Sequence, residues 1–241
     1  MNADPAPLKI LALGAHPDDL EFGMGGILLK EYAAGAEITI AITSRGEASS
    51  HGTPEQREAE AMAAARHLGA AERVHFLDFG GDGQQAASPQ NAAVIARMIR
   101  ETQPSVVFAP SPAVNQHPDH SAVGAAARDG CRLARYGGLT SLRDLASHTV
   151  SSLWYYAVTP GPEMSLKGAV LVDISNVFEE WKALMECHQS QVSQRKYREL
   201  QIARARQLGL MATCDYAMAL WPNDPPLLES IRPLARTARG F

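Results

Sequence analysis

Four short apolar runs in the first half of the chain, residues 8–14, 37–43, 73–79 and 105–109, are each followed by a stretch with helical patterning. That alternation leaves few folds open. Strand, helix and strand in succession give a parallel pairing, with the crossover helix packed on the sheet. The runs are β-branched where they are clearest, as in Glu37-Ile38-Thr39-Ile40-Ala41-Ile42-Thr43. The helices read as residues 25–34, closed by Gly35, then 54–68, 89–102 and 120–135. The second of these is the strongest: Pro54 opens it, Glu55 sits in its first turn and Gly69 follows its end. The expected class is α/β, a mostly parallel sheet with helices on both faces. After Tyr136 the pattern changes. Residues 151–158 and 169–174 read as strands joined through Pro160-Gly161-Pro162, and 177–208 as a charged helical stretch of two helices. Residues 221–241, with Pro222, Pro225, Pro226 and Pro233, read as irregular. We expect a single domain over residues 1–241, with a core of about 8–136 and a smaller C-terminal strand-helix portion of about 150–241.

In open parallel sheets, sites form outside the carboxyl ends of the strands, and two residue clusters fall there. The first, Ala15-His16-Pro17-Asp18-Asp19-Leu20-Glu21, gathers one imidazole and three carboxylates at a strand-to-helix junction where Pro17 restricts the backbone. The second is His117-Pro118-Asp119-His120, again after an apolar run. His16 and Asp19 stand three apart, share a face in a first helical turn and can chelate one ion. His120 can supply a third ligand from the other strand end. Two imidazoles and one carboxylate leave coordination positions open, as a catalytic zinc site requires. A hydrolase on such a site needs a base and an oxyanion donor. Asp18, pointing away from Asp19, fits the first role. His117 fits the second, or that of an acid toward a leaving amine. Asp119 is placed to orient His117 or a ligand. Either cluster alone is a pattern that surface loops carry by chance; the two together, both after strands, point to a metal site. Gly23-Met24-Gly25-Gly26 reads as a glycine-rich turn. It lacks a full GxGxxG directly after the strand, and acids stand where a phosphate would lie, so no dinucleotide site is expected.

The net charge is -4, and no basic stripe breaks it, which excludes nucleic acid and anionic membrane as partners. The three cysteines, Cys131, Cys187 and Cys214, have no CxxC spacing, which points to a reducing compartment and no thiolate-ligated metal. No signal-like N-terminus and no apolar run of ~20 residues is present, so a cytoplasmic protein is expected.

At its two clusters the sequence resembles the LmbE-like, or PIG-L, family of zinc-dependent N-deacetylases, whose motifs look like the Ala15–Glu21 and His117–His120 stretches. The similarity continues through Thr43-Ser44-Arg45-Gly46-Glu47, Arg57 with Glu60, Leu68-Gly69, Val172-Asp173-Ile174-Ser175 and His188-Gln189-Ser190-Gln191, covering roughly residues 8–220. The resemblance implies a Rossmann-like three-layer fold. It implies removal of acetyl from an N-acetylglucosaminyl small molecule, with Zn2+, or Fe2+ in the same site, on His16, Asp19 and His120. Asp18 is then the base and His117 the oxyanion and proton-transfer histidine. Arg57 and Glu47 fall in segments that line the sugar site in relatives; the plainer readings are a helix-surface pair of Arg57 with Glu60 and a solvated loop acid. Relatives are often homo-oligomers, several of them hexamers, and the resemblance implies a homo-oligomer here. Ser49-Ser50-His51-Gly52-Thr53 looks most like the bacillithiol-pathway deacetylases, which act on N-acetylglucosaminyl malate. Three departures stand against that subgroup: Gln116 where those enzymes carry Arg, Asp82-Gly83 in place of Asp-Arg-Gly, and Tyr216-Ala217-Met218 in place of Tyr-Ala-Glu. His51 and His188 read as satisfied surface or interface histidines, contact with substrate or metal being the other reading, and Tyr216 and Trp221 as packing aromatics or sugar-stacking ones.

Two other classes fit part of the pattern. A non-haem iron oxygenase uses two histidines and one carboxylate, but leaves Asp18 without a task. A sugar-binding protein without turnover needs neither a base nor an oxyanion donor.

Overall fold

The structure, a computed structural model, describes residues 6–114, 117–159, 166–193, 196–234 and 237–238; Gln116 and the Pro160-Gly161-Pro162 turn lie outside them. The core runs β1 (Lys9–Gly14), α1 (Asp19–Ala33), β2 (Glu37–Ile42), α2 (Pro54–His67), β3 (Val74–Phe76), α3 (Pro89–Thr102), β4 (Val106–Pro110) and α4 (Pro118–Ala134). Then follow β5 (Ser152–Tyr156), β6 (Val170–Asp173), α5 (Phe178–Glu186), α6 (Gln189–Val192), α7 (Tyr197–Met211) and β7 (Ala217–Pro222). One mixed sheet of seven strands has the order β3-β2-β1-β4-β5-β7-β6. The first five strands are parallel; β7 runs antiparallel to both β5 and β6.

Strand periodicity divides the core. Ile10 and Ala12 of β1 pack with α1, α2 and α5, while Leu11 and Leu13 pack with α3 and α4 on the other face. Helix starts are locally encoded. Thr53 and Ser88 accept hydrogen bonds from Gln56 N and Asn91 N, and Pro54 and Pro89 follow them as first helical residues.

The sheet order reverses between β1 and β4, since β2 and β3 build out one way and β5 the other. The connections leaving β1 and β4 therefore diverge and open a crevice at the carboxyl edge. Both sequence clusters border it.

Three expectations need correction. The first helix begins at Asp19, not at residue 25, and the glycines lie inside it, with the regularity broken at Met24 (φ -151°). They serve packing: a Cβ on Gly23 would lie 2.5 Å from the Tyr156 ring, and one on Gly26 2.8 Å from Ile174. The 177–208 stretch forms three helices rather than two, with α6 a single turn after His188. Residues 217–222, partly inside the expected irregular tail, form β7 at the antiparallel edge. Its apolar run is too short to mark a strand without the sheet partners on either side.

Candidate active site

Each cluster is held by the backbone around it. The Asp19 carboxylate accepts hydrogen bonds from the N–H groups of Ala15 (2.8 Å) and His16 (2.9 Å), which ties the turn between β1 and α1 together and fixes the Asp19 rotamer. Asp18 just before it has φ 128°, a conformation uncommon outside glycine. At the second cluster His117 caps α4, its Nδ1 accepting from Asp119 N (3.3 Å), with Pro118 as the first helical residue. An accepting Nδ1 leaves the neutral ring with its proton on Nε2.

The two clusters meet. His16 Nδ1 lies 3.3 Å from His120 Nε2 and 3.6 Å from Asp19 Oδ2, and His120 Nε2 lies 3.0 Å from Asp19 Oδ1. The ligand atoms of His16, Asp19 and His120 all fall within 4.8 Å of one another, and the three side chains are buried. Two imidazole nitrogens directed at each other and at a carboxylate are electrostatically suited to a shared cation. A second grouping, His16, His117 and Asp119, is equally compact, but its lone pairs are engaged elsewhere. Asp119 Oδ2 accepts from Gly83 N (2.6 Å) and binds His16 Nε2 (3.0 Å), and Gln85 reaches both carboxylate oxygens. That contact sets the His16 tautomer, proton on Nε2 toward Asp119 and lone pair on Nδ1 toward Asp19 and His120.

Charge follows this geometry. Burial opposes a charge on His16, yet Asp19, Asp119 and Asp82 together hold its imidazole well above the ordinary value. Burial likewise works against the Asp19 carboxylate, and His120 and His16 outweigh it and hold the group well below the carboxylate range. Asp18 goes the other way: burial pushes it up to about 6, against the pull of Arg57 and with a further push from Asp19. Burial and the neighbouring His16 and His120 lower the His117 imidazole.

Asp18 and His117 both line a cavity of about 350 Å³ that has His16, Asp19 and His120 in its floor. Arg57 is 4% exposed, and its Nη2 donates to Pro17 O (2.7 Å) and pairs with Asp18 Oδ2 (3.2 Å). Arg57 is thus no helix-surface residue; Glu60 instead accepts from Ser190 N and Oγ (2.8 and 2.6 Å). Glu47 does not reach the lining. Its carboxylate accepts from the N–H groups of Arg45 and Asp82, both at 3.0 Å, because two loops must be joined there. Tyr216 stacks on Phe178 at 3.8 Å, and Trp221 pairs with Tyr155 across the β5–β7 edge; neither lines the cavity. His188 is no surface histidine: it is buried beneath α1, its Nε2 3.3 Å from Glu21 Oε2, because α6 packs it against the apolar core, whereas His51 lines the cavity.

Several contributors to the site carry little sequence signal. Asp82 Oδ1 sits 3.1 Å from His16 Nε2, delivered by the loop after β3, and Gln85 comes with it. Phe22, Tyr197 and Leu200 form a wall of the cavity. Phe22 directly follows the first motif, and Asp82 is marked only by its place in the Asp-Gly pair compared with Asp-Arg-Gly; Gln85, Tyr197 and Leu200 carry no local signal.

Among known proteins, the chain matches the PIG-L family, described as GlcNAc-PI de-N-acetylase, over residues 11–131. It is 28% identical over 198 residues to a diacetylchitobiose deacetylase of Thermococcus kodakarensis, spanning 76% of this chain and 70% of that one. The fold is similar to that of a conserved protein from Thermus thermophilus, with a TM-score of 0.83 at 33% identity over 95% of this chain and 100% of the other. It is also similar to the 4-carboxy-2-hydroxymuconate hydratase of Pseudomonas putida, with a TM-score of 0.78 at 22% identity over 92% and 99% of the two chains. That last likeness is one of fold alone, and it shows the scaffold carrying a differently named reaction.

Proposed function

The chain belongs to the PIG-L family, and on that footing we propose that it is a metal-dependent hydrolase that removes acetyl from an N-acetylglucosamine-containing small molecule. The observation that carries this reading is that Asp18 and His117 face the same cavity as the converging His16, Asp19 and His120 ligand atoms. His16 Nδ1, His120 Nε2 and the Asp19 carboxylate would hold a divalent ion. Zinc suits two imidazoles and a carboxylate, ferrous iron is accepted by the same donors, and either supplies Lewis acidity toward an amide carbonyl and toward water near neutral pH.

The side chains of this protein do the rest. Asp18 takes a proton from the attacking water as general base. His117 presents Nε2–H to the oxyanion, or gives a proton to the leaving amine nitrogen. Asp119 keeps the His16 lone pair directed at the ion. Arg57 fixes Asp18 and, lining the cavity, is within reach of the sugar. Glu47 acts at one remove, by tying the Asp82 loop. The core and the C-terminal portion act as one domain, because the core strands supply the ligands and α7 supplies part of the cavity lining. N-acetylglucosaminyl malate is one substrate of this kind, and an uncharged N-acetylglucosaminide is another. Among the described residues no helix is long and apolar enough to cross a membrane. Cys131, Cys187 and Cys214 form no disulfide among the described residues, and we propose a cytoplasmic enzyme that is a homo-oligomer, hexamers included. Light scattering at micromolar concentration tests the assembly, and a monomer mass rejects it.

The decisive experiment is a free-amine assay with a panel of N-acetylglucosaminides, with and without chelator. Chelator-sensitive amine release is expected. Oxygen consumption with a 2-oxoacid and no amine release would replace this reading with the oxygenase.

A further inference from the structure

We propose that the aglycone, the part of the substrate attached beyond the N-acetylated sugar and retained in the deacetylated product, is uncharged and apolar, and that Tyr197 and Leu200 recognise it. The inference rests on the deacetylase reading and narrows its substrate class.

The first observation is charge. Among the described residues lining the cavity, Arg57 is the one lysine or arginine. Its guanidinium is held by Asp18 and Pro17 O at the base of the site. Three carboxylates, of Asp18, Asp19 and Asp82, face the same space. A carboxylate or phosphate on the aglycone would be desolvated there without a guanidinium fork to receive it. Arg45, in a neighbouring loop, is off the lining and paired with Glu58 at 2.9 Å.

The second observation is the apolar part of the lining. Phe22 lies deep, only 4% exposed, beside the ligand residues. Tyr197 and Leu200, three apart in the first turn of α7, share one helix face and continue the apolar surface outward. Leu200 is 43% exposed, which places it at the mouth. Of the two lining amides, Gln201 Nε2 donates to Val158 O and Gln191 Nε2 to His51 O. The reacting acetamide must lie over His16 and His120, so the sugar spans the middle and the aglycone meets Tyr197 and Leu200. At about 350 Å³ the space is at the low end for small-molecule sites. It suits one sugar ring with an apolar substituent that emerges along α7.

The test measures amine release from methyl, octyl and malyl N-acetylglucosaminides by the zinc-loaded enzyme. Calorimetry then follows the matching deacetylated glucosaminides binding to Asp18→Asn. The octyl compound should exceed the methyl one in kcat/KM by roughly tenfold or more, since buried methylenes favour binding. The malyl compound should fall below the methyl one, and calorimetry should give the same order. Leu200→Glu should shrink the octyl-to-methyl ratio. A malyl compound equal to or better than the octyl one, in turnover or in binding, overturns the proposal while leaving deacetylation intact. So does an octyl compound no better than the methyl one. No amine from any of the three defeats the deacetylase reading itself, and the calorimetric order still decides this one.

Discussion

Arg57 reaches from α2 to the β1–α1 turn, where its Nη2 lies 3.2 Å from Asp18 Oδ2 and 2.7 Å from Pro17 O. One guanidinium therefore grips both the carboxylate proposed as the base and the backbone that carries it. Gly46 is packed against that side chain so closely that a Cβ there would lie 2.2 Å from Arg57 Nη1. The arginine has little freedom to leave.

Removing this cation should move the acidic limb of the rate–pH profile. Burial pushes Asp18 up to about 6, and Arg57 is the main opposing pull. The base is active when ionised, so activity rises as pH climbs through its pKa. Arg57→Gln removes the pull, raises that pKa further and should shift the limb to higher pH with kcat reduced. Arg57→Lys keeps the charge and should shift it less. A bound divalent ion lowers Asp18 in both proteins and leaves the direction of the difference intact. Profiles measured at equal metal content check this; an unmoved limb in Arg57→Gln rejects the coupling.

Asp18→Asn should keep the metal and lose about 10²–10⁴-fold in turnover, the contribution of positioned proton transfer. Asn tolerates positive φ at least as well as Asp does, so the φ of 128° need not relax. Near wild-type turnover with metal in place would make Asp18 a structural residue.

His16→Ala and His120→Ala should each lose the ion, read by elemental analysis of the folded variants. Asp119→Asn should keep the ligands and weaken metal affinity by about 10–100-fold, because the His16 tautomer is no longer fixed. A competition titration with a chromophoric chelator measures it. Full occupancy in both histidine variants would remove the proposed ligand set.

Gly124→Ala tests how α4 carries His120. A Cβ at Gly124 would meet Pro110 O at 2.3 Å and Pro112 N at 2.9 Å. These are backbone atoms at the end of β4 and cannot rotate away. The helix must move off the strand, at about 1–3 kcal/mol. Both the thermal midpoint and metal affinity should fall; a wild-type midpoint by calorimetry would show that the contact is readily relaxed.

The local sequence was enough to specify the parallel core. Alternating strand and helix periodicities, with Thr53-Pro54, Ser88-Pro89 and His117-Pro118 at helix starts, depend on neighbours along the chain. Those signals also put His16, Asp18, Asp19, His117 and His120 at strand ends, because a motif's position after a strand is itself local. Tertiary structure decided what each side chain faces. Arg57 turned inward to Asp18 instead of lying on the helix surface, and Glu47 turned to the Arg45 and Asp82 amides instead of the cavity. Asp82, Gln85, Tyr197 and Leu200 joined the site from the loop after β3 and from α7, which no spacing rule connects to residues 16–19. The glycines of α1 looked like a turn until Tyr156 and Ile174 were packed against them. Short-range sterics and hydrogen bonding write elements and caps into the sequence, whereas the charge and shape of a cavity arise from packing segments far apart in it, and exist only once the chain has folded.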